Sequence, residues 1–227
     1  MSAKIETLID KQDSFEIIRD EIAAILLIEK ENQKTIAKAA DKDKTLWDFD
    51  VYTERSLPWE LIEDADGKII KQVPLVNVFF DQFTPNDSAS NTVERQLNTG
   101  QFQIDCVSAK NTKRLQNRSL IAGDELAARD AQRILKLVRN ILMSSVYTYL
   151  GLRGVVTKRM IQSATIFQPN INDRPAQRVM VARIQLNVEY YEFSPQAIPV
   201  ELELVSAQCT RAEDGLIYFE NDFDYTT

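Results

Sequence analysis

The chain has no histidine, only six glycines and two cysteines among 227 residues, and no apolar run long enough to cross a membrane as a helix. Each scarcity removes a class of function. Without an imidazole there is no Ser-His-Asp or Cys-His catalysis, no H-E-x-x-H zinc site and no histidine-ligated haem. The glycines, at 67, 100, 123, 151, 154 and 215, cannot be arranged as G-x-G-x-x-G or as a P-loop, so the backbone cradles that hold nucleotide phosphates are missing. Gly151-x-x-Gly154 reads as a helix end rather than a clamp on nucleic acid. Cys106 and Cys209 stand far apart in apolar stretches with no second pair to complete a zinc ribbon. That pattern suits buried free thiols in a reducing compartment. Residues 1–9 carry Lys4 and Glu6 and lack an apolar leader core, so neither a signal peptide nor a membrane partner is expected.

What is present is ordinary for a globular protein, with 44% hydrophobic and 27% charged residues. A chain of this length buries roughly 70–75% of its unfolded surface, so its core needs neither disulfide nor metal. The 34 acids against 27 bases leave a formal charge of −7, which argues against a general nucleic-acid binder.

Asp13-x-x-Glu16 marks a helix start, and Phe15, Ile18, Ile22, Ile25 and Leu26 follow at helical spacing for about five turns. Residues 30–45 suit either a solvated helix extension or a loop. At 46–54 the period becomes two, with Trp47, Phe49, Val51 and Thr53 alternating with Asp48, Asp50 and Tyr52, which predicts a half-buried strand. Asp48 and Asp50 then share a face; with no third oxygen-rich cluster nearby, solvent is a better partner for them than a cation. Asp66-Gly67 is a turn signal. Residues 73–83 form a nearly continuous apolar run, which predicts a central strand buried on both faces. A polar loop at 84–98 separates it from a strand at 100–108, with Phe102, Ile104 and Cys106 inward and Gln101, Gln103 and Asp105 outward.

The longest helix is expected at 124–150, ending at Gly151, with Ala131, Leu135, Val138, Leu142, Ser145 and Tyr149 as its buried stripe, flanked by Ile134 and Ile141. Glu125 with Arg129, and Asp130 with Arg133, have the spacing of surface ion pairs. Residues 155–167 read as a strand and 168–177 as a polar loop. Residues 178–193 alternate most regularly, with Met180, Ala182, Ile184, Leu186, Val188 and Tyr190 on one face. Such a strand would approach roughly 50 Å, and its excess length is expected to project beyond the core. Val200, Leu202 and Leu204 suggest a further strand, Asp214-Gly215 a turn, and residues 220–225 an acidic, aromatic arm that is either disordered or strapped onto a neighbour. The order of helix, strands, helix, strands indicates one α+β domain over 1–227, with candidate assembly arms at 84–98, 168–177 and 220–227.

No catalytic, metal or cofactor residues emerge. Paired carboxylates stay open as acid–base catalysts, although 34 acids make chance pairs inevitable. Ser88, Ser90 and Thr92 lack a neighbouring base. Lys110, Lys113, Arg114 and Arg118 make one loop locally basic: either a solvated connection or a contact with an acidic partner. Phe219, Phe223 and Tyr225 are the candidate subunit-bridging residues of the arm.

Several segments together resemble the structural proteins at the neck of tailed bacteriophages, most closely the tail terminator and tail-completion proteins. They are Pro74-Leu-Val-Asn-Val-Phe-Phe-Asp81, Asn91-Thr-Val-Glu-Arg-Gln96, Ile104-Asp105-Cys106, Arg129-Asp-Ala-Gln-Arg133 and Val138-Arg-Asn-Ile-Leu-Met143. Tyr149-Leu-Gly-Leu-Arg153 and Arg211-Ala-Glu-Asp-Gly215 extend the likeness over most of the chain. The resemblance implies a mixed, mainly antiparallel sheet flanked by an N-terminal helix and one long central helix. It also implies a homohexameric ring in the virion, assembled in the host cytoplasm, that caps the tail-tube protein and meets a head-completion or connector protein. DNA would pass through the lumen without specific binding. The rival readings are a head-completion protein on the portal side, a carboxylate-based hydrolase or lyase, and an adaptor that binds peptides by strand addition.

Overall fold

The computed structural model describes residues 8–62, 69, 73–87, 91–92, 94–114, 120–171, 174–175, 178–193, 204–210 and 217–224, with residues 171, 174–175, 204–210 and 217–224 as backbone. In chain order the elements are α1 (Ser14–Ala39), β1 (Asp50–Thr53), β2 (Leu75–Pro85), β3 (Arg95–Ala109), β4 (Lys113–Arg114), β5 (Leu120–Ile121) and α2 (Gly123–Leu142). There follow β6 (Val156–Phe167), β7 (Asn170–Ile171), β8 (Arg174–Pro175), β9 (Val179–Phe193), β10 (Leu204–Thr210) and β11 (Ile217–Asp224). The main sheet has the order β1-β2-β3-β9-β6. Only β1 and β2 run parallel. The fold is therefore α+β, with a mixed, mainly antiparallel sheet and two long helices, as expected.

Both helices pack on one face of the sheet. Ile18, Ile22, Ile25 and Leu26 of α1 and Ala131, Ile134, Val138 and Leu142 of α2 meet Phe102, Ile104 and Cys106 of β3 and Ile184, Leu186 and Val188 of β9 in one buried cluster. A smaller cluster on the other face, at one end, joins Leu75, Val107, Val179 and Val181 to Trp59 and Ile62 around a 3-10 turn at Pro58–Leu61. Cys106 is a buried free thiol, as read from the sequence, and burial pushes its pKa up; the Cys209 side chain lies outside the described residues.

At its N-terminus, α1 carries the expected capping box: the Asp13 N–H donates to Glu16 Oε2 at 3.1 Å. The helix then continues through the ambiguous stretch to Ala39, 26 residues and about seven turns rather than five. Lys34 supports the extension by pairing with Glu31 at 3.1 Å and with Asp48 at 2.7 Å.

Residues 46–54 are not one strand. Asp43 accepts the Thr45 N–H at 2.9 Å and its hydroxyl at 2.7 Å, which nucleates a 3-10 turn at Lys44–Trp47 and leaves only Asp50–Thr53 as β1. Asp48 thus precedes the strand and does not share a strand face with Asp50. The central strand is β3, not β2, and only Leu75 to Val78 of β2 are buried in succession.

The polar segment 84–98 is shorter as a loop than expected, because β2 runs to Pro85 and β3 starts at Arg95. As a result β3 and β9 pair over all 15 residues of each, from Arg95 opposite Phe193 to Ala109 opposite Val179. The long strand does not project alone; its partner matches it. Gly100 is required in this ladder, since a Cβ there would sit 2.8 Å from the Tyr190 ring. Asp105, expected outward, is fully buried. Short hairpins, β4–β5 and β7–β8, interrupt the basic loop and the 168–177 loop. Residues 204–210 and 217–224 pair as antiparallel strands, Leu204 opposite Asp224, so the acidic segment through Asp224 is a strand, while Asp66-Gly67, Asp214-Gly215, Val200 and Leu202 lie outside the described residues.

The longest helix is α1, because α2 stops at Leu142, well before Gly151. Its carbonyls are diverted. The Arg159 guanidinium of β6 donates to the carbonyls of Leu142 and Thr148, and to that of Ser144 at 2.6 Å, drawing the chain into a 3-10 turn at Ser145–Tyr147. Leu150 and Gly151 then take positive φ of 51° and 73° to close the turn. The buried stripe is accordingly Ala127, Ala131, Ile134, Val138, Ile141 and Leu142; Leu135 is half-buried and Ser145 and Tyr149 are exposed. Ile134→Ala should cost about 2–5 kcal/mol and Leu135→Ala less than about 2 kcal/mol, measured by denaturant unfolding.

Candidate functional site

The basic loop is divided by the fold. Lys110, at the end of β3, turns toward α2, where its Nζ lies 3.1 Å from Asp130 Oδ2. Ser108 Oγ donates to the same oxygen at 2.8 Å, and Arg133 donates to Asp130 Oδ1 from Nε at 3.1 Å and Nη2 at 2.5 Å. Asp130 is thus a node that ties α2 to β3, whereas Arg129 and Glu125, 2.6 Å apart, form the expected surface pair. Lys113 and Arg114 stand exposed on β4, and Arg118 lies outside the described residues. Of the arm residues, Phe219 and Phe223 belong to β11 and Tyr225 lies outside the described residues.

Two features of the site region were not predicted. On the sheet face opposite the helices, Arg183 holds buried Asp105 through two bonds, Nε to Oδ1 at 2.6 Å and Nη2 to Oδ2 at 2.8 Å. The rings of Phe79 and Phe167 stack near its guanidinium at 5.5 and 5.2 Å. Nearby amides continue this polar belt, with Gln103 donating to Asp81 at 2.6 Å and Gln82 to Gln101 at 3.0 Å. Only the β3–β9 register could have revealed the ion pair, since the two residues are 78 apart in sequence.

The second feature is a cleft of about 540 Å³ between α1, the 3-10 turn at Lys44–Trp47, and α2. Trp47, Leu137 and Ile141 line its apolar part, and Arg133 and Lys136 bring positive charge. At one wall Tyr147 Oη donates to Glu29 Oε1 at 2.6 Å, while Asn32 donates to Oε2 at 3.0 Å. Those donors lower the Glu29 pKa, and the bond to Glu29 together with burial pushes Tyr147 up to about 12, so the pair is a carboxylate and a neutral phenol near neutrality. Arg133, Lys136, Leu137, Asn140 and Ile141 share one helical face, but the predicted stripe pointed elsewhere.

No cluster of three or more metal-ligating side chains occurs among the described residues. No described helix is long and apolar enough to cross a membrane. What the geometry offers is surface for binding: an apolar cleft with cationic walls, an amide-rich sheet face and an exposed edge strand.

Burial alone would raise the Asp130 pKa, but its bonds to Arg133 and Ser108 and the charges of Arg133 and Lys110 outweigh it and lower the group. A depressed carboxyl contributes stability that is complete above its unfolded value, near ~3.9, and is lost as pH falls through the folded value. Asp130→Asn should therefore cost about 1.5–3 kcal/mol at pH 7, and its deficit against wild type should shrink as the pH is lowered toward about 2. Denaturant unfolding across that range checks it.

No protein-family model matches this sequence, and no curated protein does.

Proposed function

We propose that this chain is a structural, non-enzymatic protein of the neck of a tailed-bacteriophage virion. It forms a ring, six-membered on the resemblance, that caps the tail tube, ends its polymerisation and joins tail to head. It is assembled in the host cytoplasm and carries no cofactor. The order of helix, mixed sheet and second helix on the same face agrees with what the resemblance implies for this family.

The observation that carries the reading is the edge of the sheet. β6 is a 12-residue strand that pairs only with β9 among the described residues, and nearly all of its side chains are exposed or half-exposed, Met160 and Ile166 included. A long edge of this kind is a liability for a free monomer and an asset for a subunit that meets neighbours. Two bulges, at Val156/Lys158 and Ile161/Ser163, together with Lys158 restrict pairing to a complementary partner. The net charge of −7 suits a channel wall, since a wall with few basic side chains would offer passing phosphates little to bind.

Electron microscopy of the protein mixed separately with isolated tail tubes and with tail-less heads tests the proposal. Added density at one end of the tubes is expected. Binding only to heads would transfer the protein to the portal side as a head-completion protein, and binding to neither would overturn the neck assignment.

A further inference from the structure

We propose that the cleft between α1 and α2 receives the acidic, aromatic segment 219–225 of a second copy of this chain. The inference rests on the ring reading, because it requires neighbouring copies.

The cleft is built to take an apolar group beside a carboxylate. Its 540 Å³ lies within the ~300–1,000 Å³ of ordinary ligand pockets and exceeds what a single small side chain fills. Leu46 and Val146, which line it, are 44% and 77% exposed and add apolar surface at the cleft. Among the lining cations, Arg133 spends Nε and Nη2 on Asp130, and its Nη1 is buried with no hydrogen-bond partner in the described structure. A buried guanidinium nitrogen in that condition calls for an acceptor, and a carboxylate is the strongest one available. Lys136, one turn further along α2, is exposed at the same wall.

The chain itself supplies such an occupant. After Arg211 there are five acids and no base, and Phe219, Phe223 and Tyr225 are interleaved with Glu220, Asp222 and Asp224. Stretches at 47–52, 79–83 and 189–193 also mix aromatics with acids, but all three are built into the body around α1, β2 and β9. Segment 219–225 therefore matches the cleft in charge and in aromatic content, and the backbone of residues 219–224 pairs with β10 in a two-stranded sheet separate from the main sheet. An aromatic ring on Trp47, Leu137 and Ile141, with an adjacent carboxylate on Arg133 Nη1, would satisfy both halves of the site.

Disulfide trapping tests this. Two full-length variants, Val146→Cys and Phe223→Cys, each also Cys209→Ser, are mixed, incubated with tail tubes or at high concentration, and mildly oxidised. The lip of the cleft and the segment must come within disulfide reach, with Cα atoms under ~7 Å apart, for a bond to form. A mixed dimer on a non-reducing gel is expected, and a peptide of residues 217–227 should suppress it. Lys136→Glu in the receiving copy should slow its formation by about two- to fivefold. Each variant is checked for an unchanged melting curve, and binding of the same peptide to the unaltered chain, followed by Trp47 fluorescence, gives an answer independent of the cysteines. Caps on tubes with no mixed dimer and no peptide binding would overturn the cleft contact and leave the ring reading standing. A mixed dimer without caps would do the reverse. A bond formed only within a chain carrying both cysteines would overturn the role of the second copy.

Discussion

The 15-residue pairing of β3 with β9 determines both faces of this molecule at once. A slip of one residue would turn Phe102, Ile104 and Cys106 away from the helices and draw Asp105 out of line with Arg183. The hydrophobic face and the buried ion pair thus demand the same register, one through apolar burial and the other through two charge-assisted hydrogen bonds. A buried pair of this kind adds little net stability over an apolar substitute, but an unmatched Asp105 would be expensive, so its effect is to exclude wrong alignments. Gly100 adds a third constraint, since only there can the Tyr190 ring lie against the backbone.

Around this ladder, polar side chains from one element repeatedly fix the backbone of another. Arg159, from the edge strand, ends α2 by collecting three carbonyls, and burial lowers its pKa. Asp130 joins α2 to β3 through Lys110, Ser108 and Arg133. Asp130 takes two nitrogens of Arg133, a residue that lines the cleft, and leaves the third buried without a hydrogen-bond partner, so the node that secures the helix also shapes the candidate receptor.

The parts of the fold that were legible in the sequence are those governed by a single period. Ile18, Ile22, Ile25 and Leu26 announce α1, and the alternation from Met180 to Tyr190 announces β9, because burial on one face repeats with the geometry of the element. What escaped was decided by contacts between elements. The end of α2 depends on Arg159, and the apolar spacing through Leu142 and Tyr149 gave no hint of it. The strand expected at 46–54 yields to a local hydrogen bond from the Thr45 N–H to Asp43, which competes with extended backbone. Asp105 looked solvated because its partner is visible only once β3 and β9 are in register. The basic loop was visible as composition, yet Lys110 and the exposed pair Lys113 and Arg114 have different surroundings, and composition alone does not separate them.

In the proposed ring, the scarcity of catalytic side chains and the exposed apolar groups have one explanation: the monomer keeps a rigid ladder and commits its remaining surface to other proteins. Hydrogen–deuterium exchange on the free and tube-bound protein tests that division most directly. The account predicts slow exchange throughout β3 and β9 in both states, with binding adding protection at residues 44–47, 133–147 and 217–224. Ladder amides that exchange as fast as the connecting loops, or new protection confined to other segments, would contradict it.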